Sequence, residues 1–238
     1  MIDNHAIGDL MIDCYETYLF DADDTLFHFD RAEEYAFKRV LQDAGLSYSD
    51  EMLRLYRSIN KALWEKFERA EITKDDLQYR RFRELFLKLH LDLDPEQMNN
   101  AYVLALGAGS YLIDGAEEIC NLLTEAGKRI YIVTNGVAVT QKMRIRNSAI
   151  NQYISGLFVS EDAGFQKPQK EYFDYVFSRI PHPDLTKTII IGDSLLSDIS
   201  GGIQAGIDTC WFNKDNSPNT SAIQPTYEIK YLRELAEI

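Results

Sequence analysis

Three short apolar runs stand out along the chain, at residues 17–20, 129–134 and 188–192. They are rich in Ile, Val, Leu and Tyr, and stretches with helical spacing separate them, which is typical of a parallel sheet covered on both faces. Weaker runs that predict further strands lie at residues 157–160, 209–212 and 227–229. The pattern therefore predicts an α/β fold built on a doubly wound parallel sheet.

A different pattern fills residues 31–111, where Leu, Glu, Arg and aromatic residues recur without any strand-like run. Thr73 and Asp76 have the spacing of a capping box, and Leu77, Arg81, Leu85 and Leu89 recur at a spacing of four. Helices are predicted at residues 31–44, 49–70, 73–90 and 95–108. We interpret this region as a helical cap domain inserted between the first and second strands.

The two patterns divide the chain into three parts. Residues 14–30 and 112–238 form the predicted core domain, residues 31–111 the helical cap, and residues 1–13 an N-terminal extension. Because ligands bind outside the carboxyl ends of the strands in doubly wound sheets, the polar clusters that follow the three main strands are expected to meet in one crevice.

Charge limits the partners that this surface can attract. The formal net charge is -13, and a surface of this sign repels nucleic acid polymers and anionic membranes. A small anionic substrate stays compatible with the charge if a metal ion or a lysine supplies positive charge locally. No apolar run approaches the ~20 residues that span a bilayer, and the N-terminus lacks the pattern of a signal peptide, so we expect a cytoplasmic protein.

The cysteines carry no sign of a disulfide framework. Cys14, Cys120 and Cys210 are odd in number and far apart, and they form no CxxC pair. We expect reduced structural thiols rather than a zinc or redox site.

The strongest candidate for chemistry is the acidic segment that follows the first strand. Asp21 and Asp23 are two residues apart, so their side chains point in different directions from an extended strand end. Asp21 is suited to be a nucleophile and metal ligand that forms an acyl phosphate. Asp23 is suited to be the general acid and base that moves protons to the leaving group and from water.

A second acidic segment follows the run at residues 188–192. Asp193 is the expected direct ligand of a hard cation such as Mg²⁺, which prefers oxygen donors. Asp198 is expected either to act on that ion indirectly, through a water molecule or a neighbouring group, or to be an ordinary helix N-cap. Two carboxylates ~4 Å apart repel by about 4 kcal/mol at an effective dielectric of ~20, so a phosphate would enter only with a cation.

Two further segments offer groups for the phosphate oxygens. Thr134 and Asn135, followed by Gly136, end the second main run with hydroxyl, amide and backbone donors. Lys167 precedes a helical stretch and can act as a point charge on the phosphate.

Taken together, these segments resemble the four ordered motifs of the haloacid dehalogenase (HAD) superfamily. Asp21-x-Asp23-x-Thr25 is similar to the first motif, Thr134-Asn135-Gly136 to the second, Lys167-Pro168 to the third and Gly192-Asp193-x4-Asp198 to the fourth. The resemblance implies a Rossmannoid core with a C1-type cap, Mg²⁺ as cofactor, and Asp21, the backbone carbonyl of Asp23 and Asp193 as metal ligands.

A narrower resemblance is to the YjjG-type pyrimidine 5'-nucleotidases. It rests on residues 20–30, 60–64, 166–168, 210–213 and 225–227, which extend into the cap and the C-terminal part. It implies hydrolysis of pyrimidine nucleoside monophosphates, with Asn60 reading a base edge and Trp64 or Phe27 stacking on the base.

Three alternatives stay open at this point. Another small phosphate monoester, such as phosphoglycolate or a sugar phosphate, would use the same chemistry. A haloacid dehalogenase would use the Asp nucleophile without metal, but Asp23 speaks against it. A non-enzymatic module that accepts a phosphate on Asp21 needs neither the helical insertion nor Asp23. The sequence leaves the oligomeric state open.

Overall fold

The computed structural model describes residues 14–236, which form two compact units. The core unit contains residues 14–27, 112–135 and 149–236, and the helical unit contains His28–Tyr111 and Gly136–Ser148. The predicted N-terminal extension lies outside the described residues.

A six-stranded parallel sheet forms the centre of the core unit, with the strands in the order β3-β2-β1-β4-β5-β6. The strands are β1 (Thr17–Phe20), β2 (Arg129–Thr134), β3 (Ile154–Val159), β4 (Thr188–Gly192), β5 (Asp208–Phe212) and β6 (Tyr227–Ile229). This sheet confirms the predicted α/β class. All residues of β1 and β4 are buried, as expected for central strands that are covered on both faces.

Helices and short helical turns cover the sheet of the core unit. The helices are α5 (Ala116–Glu125), α7 (Ser160–Ala163), α8 (Lys170–Phe177) and α9 (Ser200–Ala205). Leu19, Ile190 and Tyr172 belong to one apolar cluster between the sheet and α8. At Gly202 of α9, an added Cβ would lie 2.5 Å from the Ile190 side chain, so the glycine allows this helix to approach the sheet closely.

The helical unit contains four long helices and one shorter helix. They are α1 (Phe29–Asp43), α2 (Asp50–Glu68), α3 (Lys74–Leu89), α4 (Pro95–Gly107) and α6 (Ala138–Arg146). Thr73 and Asp76 form the predicted capping box at the start of α3. Tyr56 stacks on Phe37 and Phe82 at centroid distances of 4.7 and 5.3 Å, in the buried cluster of the unit. Aromatic residues at helical spacing therefore form the interior of this unit.

The structure groups residues 136–148 with the helical unit, whereas the sequence pattern placed them in the core domain. The reason is packing between α6 and α4. The Thr140 hydroxyl donates a 2.8 Å hydrogen bond to the Val103 carbonyl, and a Cβ added to Gly107 would lie 3.0 Å from Met143. The helical unit also begins at His28, slightly earlier than the predicted boundary.

The described helices were compared with the length and hydropathy that a bilayer requires. Within residues 14–236, no helix combines the two.

Candidate active site

The ends of two neighbouring central strands bring the acidic segments together. β1 and β4 pair in register, with Phe20 opposite Ile191. The Asp21 amide continues the ladder by donating a 2.9 Å hydrogen bond to the Ile191 carbonyl. Asp21 and Asp193 therefore leave the same edge of the sheet on adjacent strands, as the sequence predicted.

A buried lysine lies between these strand ends. The Lys167 ammonium donates to Asp21 Oδ1 at 2.6 Å, to Asp198 Oδ1 at 2.7 Å and to the Val133 carbonyl at 2.7 Å. Lys167 is 1% exposed. An ammonium has three N–H donors, so these three acceptors use its full capacity. Lys167 thus holds the nucleophile candidate directly. Its action on the phosphate as a point charge stays a prediction.

Asn135 fixes the backbone of Lys167. Its side-chain amide donates to the Lys167 carbonyl at 2.9 Å, and its side-chain oxygen accepts from the Lys167 amide at 2.9 Å. Thr134 is buried at the end of β2, one residue before Asn135. The loop after β2, which was predicted to bind phosphate, therefore also sets the position of the lysine.

The segment after β4 turns sharply around Asp198. Asp198 Oδ2 accepts from the Ser194 amide at 3.1 Å, and the Ser194 hydroxyl accepts from the Ser197 amide at 3.2 Å. Ser194, not Asp198, is thus the N-cap of the short π-helical turn Leu195–Ile199. A Cβ at Gly192 would lie 2.2 Å from Asp198 Cγ, so only glycine leaves room for this carboxylate. The N-cap interpretation of Asp198 is corrected in favour of an ion pair with Lys167.

Three carboxylates are close enough to share one metal ion. One oxygen each from Asp21, Asp193 and Asp198 lies within 4.8 Å of the others. The Asp193 main chain is fixed because the Trp211 indole N–H donates to its carbonyl at 2.8 Å. An all-oxygen donor set of this kind fits a hard divalent cation such as Mg²⁺.

Electrostatics at this cluster also fit a cation. Burial raises the pKa of Asp21 above its usual value, against the opposing charge of Lys167. Burial, followed by the charges of Asp21 and Asp198, raises the pKa of Asp193 well above its usual range. Burial opposes the charge of Lys167, but Asp198 and Asp21 outweigh it and raise its pKa. The cluster thus places one lysine against three carboxyl groups, and this balance favours binding of a further cation.

Asp23 lies in a tight turn that follows Asp21. The Phe27 amide donates to the Ala22 carbonyl at 2.9 Å, and the Asp24 amide donates to the Phe27 carbonyl at 2.8 Å. Asp23 is half-buried, whereas Asp21 is 7% exposed. The two carboxylates that were predicted to have different roles therefore lie in different surroundings.

The structure also shows an ion pair between Lys214 and Asp24, which the sequence did not predict. Lys214 Nζ lies 2.5 Å from Asp24 Oδ1 in the core unit. The only signal in the sequence is position, because Lys214 follows the β5 strand and so lies at the sheet edge where the other site residues collect.

The residues expected to read the substrate lie in different places. Phe27 is fully buried in the core unit and forms β-bridges with Asp23 and Leu112. Trp64 lies in the helical unit, where Lys74 Nζ is 5.3 Å from the centroid of its ring.

Asn60 lies in the interior of the helical unit, and its reading of a base edge stays a prediction. It is 3% exposed in the helical unit, and its amide nitrogen donates to Glu33 Oε1 at 3.2 Å. Arg57 donates to the other oxygen of Glu33 at 2.7 Å. Asn60 thereby helps to satisfy a buried carboxylate, which is a structural role.

The chain is similar in sequence to known proteins of one family. The sequence profile of the haloacid dehalogenase-like hydrolases matches residues 15–206. The chain is 44% identical over 224 residues to the HAD-hydrolase YfnB of Bacillus subtilis, covering 94% of this chain and 95% of that protein. It is 32% identical to the pyrimidine 5'-nucleotidase YjjG of Escherichia coli, covering 94% of this chain and 97% of the relative.

A third relative and a solved structure agree with this match. The pyrimidine 5'-nucleotidase PynA of Streptococcus pneumoniae is 34% identical, with 94% of each chain covered. The crystal structure of YfnB from Bacillus subtilis, which is bound to magnesium, superposes with a TM-score of 0.89 at 44% identity and covers 94% of this chain and 97% of that one.

The Lys167 ion pairs generate a prediction about stability. Replacing Lys167 by Met leaves Asp21 and Asp198 buried without their cation, and breaking a buried pair in this way costs about 3 kcal/mol of unfolding free energy. Urea unfolding without added divalent cation measures the loss. Lys170→Met is the matched control, because Lys170 is exposed and pairs with Asp174 on the surface; we expect a change under about 0.5 kcal/mol there. Equal effects of both substitutions would contradict the central role of Lys167.

Proposed function

The chain belongs to the haloacid dehalogenase-like hydrolase family, and we propose that it hydrolyses phosphate monoesters with Asp21 as the nucleophile. The observation that carries the proposal is the position of Asp21. Its carboxylate is held by Lys167 through Oδ1, while Oδ2 accepts no hydrogen bond from any residue in the described range 14–236. One oxygen is thus anchored and the other is available for attack on phosphorus.

We infer that the carboxylate cluster holds Mg²⁺. Asp21 and Asp193 would supply side-chain oxygens, Asp23 its backbone carbonyl, and Asp198 would act from beyond the ion's first shell through its contacts with Lys167 and Ser194. When bound, the ion would supply positive charge that favours the ionised form of Asp21 and Asp193, whose pKa values are raised. The same charge would attract a phosphate dianion.

The proposed reaction has two steps. Asp21 forms a bond to phosphorus as the ester P–O bond breaks, and Asp23 gives its proton to the departing alkoxide. Water then attacks the aspartyl phosphate, Asp23 takes a proton from that water, and the bond between Asp21 and phosphorus breaks. Inorganic phosphate leaves, and both carboxylates return to their first state. Thr134 and Asn135 support the phosphoryl group as donors, and Lys167 supports it through its positive charge.

We propose pyrimidine nucleoside monophosphates as the substrates. Two relatives that are similar over 94% of this chain are named pyrimidine 5'-nucleotidases. A nucleotide has a flat base that an indole can stack on, and we favour Trp64 over Phe27 for this role because Phe27 is fully buried. We propose that the enzyme works in the cytoplasm on this small phosphate monoester.

The nucleophile can be tested by a substitution that keeps the shape of the side chain. Asp21→Asn removes the attacking charge, so we expect phosphatase activity to fall by about three orders of magnitude or more while the fold persists. Asp114→Asn, at an exposed position of the core unit, is the control with full activity. In ¹⁸O-labelled water, turnover should place the label in the released phosphate and leave the carboxyl group of Asp21 unlabelled, because water attacks phosphorus; mass spectrometry of the phosphate and of the peptide would show both. Retained turnover in Asp21→Asn would exclude the mechanism.

Metal binding can be measured without any substrate. A ligand that binds only the native state stabilises it by about 2.7 kcal/mol at 100 times its dissociation constant, so Mg²⁺ should raise the Tm of the wild-type protein. Asp193→Asn should lose most of this shift, and chelation should abolish hydrolysis. Asp215→Asn removes the same charge from an exposed position of the core unit and should keep the shift. A shift that survives in Asp193→Asn would contradict the assignment of the ligand.

A substrate screen tests the nucleotidase proposal. With Mg²⁺ present, we expect kcat/KM for UMP, dUMP or dTMP to exceed kcat/KM for AMP or GMP. Trp64→Leu should reduce this preference by about tenfold, because a stacked aromatic ring contributes about 1.4 kcal/mol. Its effect on kcat/KM for p-nitrophenyl phosphate should be smaller. Tyr79→Leu, at an exposed aromatic residue of the helical unit, is the control. A higher kcat/KM for phosphoglycolate, a sugar phosphate or a purine nucleotide would replace the substrate class and leave the phosphatase mechanism in place.

A further inference from the structure

The core unit contains a second lysine whose charge is directed at the acidic segment after β1. Lys214 Nζ is 2.5 Å from Asp24 Oδ1, and both side chains are about one-third exposed, at 32% and 31%. Burial opposes the charge of Lys214, but its contacts with Asp24 outweigh burial and raise its pKa. The pair therefore joins the segment after β5 to the segment that carries Asp21 and Asp23.

The position of Lys214 is fixed by its neighbour Asn213. The buried Asn213 side chain donates to the Ser217 carbonyl at 2.9 Å and to Glu228 Oε1 at 2.7 Å, and it accepts from the Ser217 amide at 2.9 Å. The Asn213 amide also donates to the Ile229 carbonyl at 2.8 Å. These bonds close a turn over residues 213–217, and this turn presents Lys214 to Asp24 on a rigid base.

Asp24 occupies the position at which the catalytic segment reverses direction. Its φ angle is 61°, in the left-handed region that Asp and Asn adopt more readily than most residues. The Asp24 amide donates to the Phe27 carbonyl, and the Leu26 and Phe27 amides both donate to the Ala22 carbonyl, at 3.0 and 2.9 Å. Asp23 lies inside this turn, so any shift at Asp24 moves the base of the Asp23 side chain.

Lys214 also lies beside the metal-ligand candidate of β4. Together with Asp193 and Trp211 it lines a cavity of about 350 Å³ in the core unit. The Trp211 indole N–H donates to the Asp193 carbonyl, and the Lys214 ammonium donates to the Asp24 carboxylate. Residues 211–214 thus contact two of the strand ends that form the site.

We propose that Lys214 is a positioning residue of the active site: through its ion pair with Asp24 it holds the turn at residues 21–27 and so directs Asp23 toward the leaving group. The inference rests on the phosphatase function proposed above. A partly exposed ion pair contributes little to global stability, so the main effect of this pair falls on local geometry. Small misplacements of a catalytic group can cost up to about a hundredfold in rate.

The test compares Lys214→Met, Lys214→Arg and Asp24→Asn in the full chain. Lys214→Met removes the charge and keeps the stem, while Arg restores a cation, and Asn at residue 24 tolerates the left-handed backbone. Lys170→Met is the control, since it removes a lysine from an exposed pair of the same unit. Single-turnover rates are measured with an alkyl phosphate and with p-nitrophenyl phosphate, whose leaving group needs little protonation.

We expect Lys214→Met to lower the single-turnover rate of alkyl phosphate hydrolysis by about tenfold to a hundredfold. The rate with p-nitrophenyl phosphate should fall clearly less. Lys214→Arg should recover most of the rate, and the double variant Lys214→Met with Asp24→Asn should be no slower than the slower single variant. Equal losses with both substrates, additive losses in the double variant, or no loss in Lys214→Met would each overturn the positioning role.

Hydrogen exchange measured by mass spectrometry supplies a readout that does not depend on activity. Amides in the peptide that covers residues 21–27 should exchange faster in Lys214→Met than in the wild type, Lys214→Arg or Lys170→Met. Unchanged exchange would overturn the inference even if the enzyme is active. A wild-type protein that releases no phosphate from any ester would instead overturn the phosphatase proposal, and the exchange result would still decide whether Lys214 holds the turn.

Discussion

The candidate site depends on one buried ammonium group. Lys167 binds a side chain that follows β1, a carbonyl of β2 and a side chain of the segment after β4, so one cation ties three strand ends together. Asn135 in turn fixes the backbone of that lysine. Since each strand end depends on the same donor, the geometry of the carboxylates is set before any substrate arrives. Lys167 cannot neutralise all of them, and the remaining negative charge explains why the cluster suits a divalent cation.

Much of the fold could be predicted because it follows from local patterns. A buried parallel strand needs an unbroken apolar run, and the predicted runs at residues 17–20, 129–134 and 188–192 are the observed strands β1, β2 and β4. The start of α3 was predictable because a capping box uses only neighbouring residues. The convergence of Asp21 and Asp193 was predictable as well, since parallel neighbours end at the same edge of a sheet.

The rest depended on contacts between residues that are distant in sequence. No local pattern shows that Lys167 forms ion pairs with Asp21 and Asp198, or that Lys214 forms one with Asp24. The helix at residues 138–146 follows a core strand in sequence, and only its packing on α4 places it in the helical unit. The burial of Asn60 was hidden for a similar reason. An amide suited to reading a base is equally suited to satisfying a buried glutamate, and only the fold shows which partner is near.

The two carboxylates after β1 differ in a way that bears on the choice between ester hydrolysis and dehalogenation. All three donors of Lys167 are occupied by Asp21, Asp198 and the Val133 carbonyl, so Lys167 has no donor left for Asp23. Asp21 is thereby held by a buried cation, while Asp23 is half-buried and has no such contact with Lys167. An alkoxide leaving group is a strong base and needs a proton, whereas a halide ion leaves without one. A proton donor at Asp23 would therefore have a use in phosphate ester hydrolysis that it lacks in dehalogenation, and its presence two residues after Asp21 supports the phosphatase proposal.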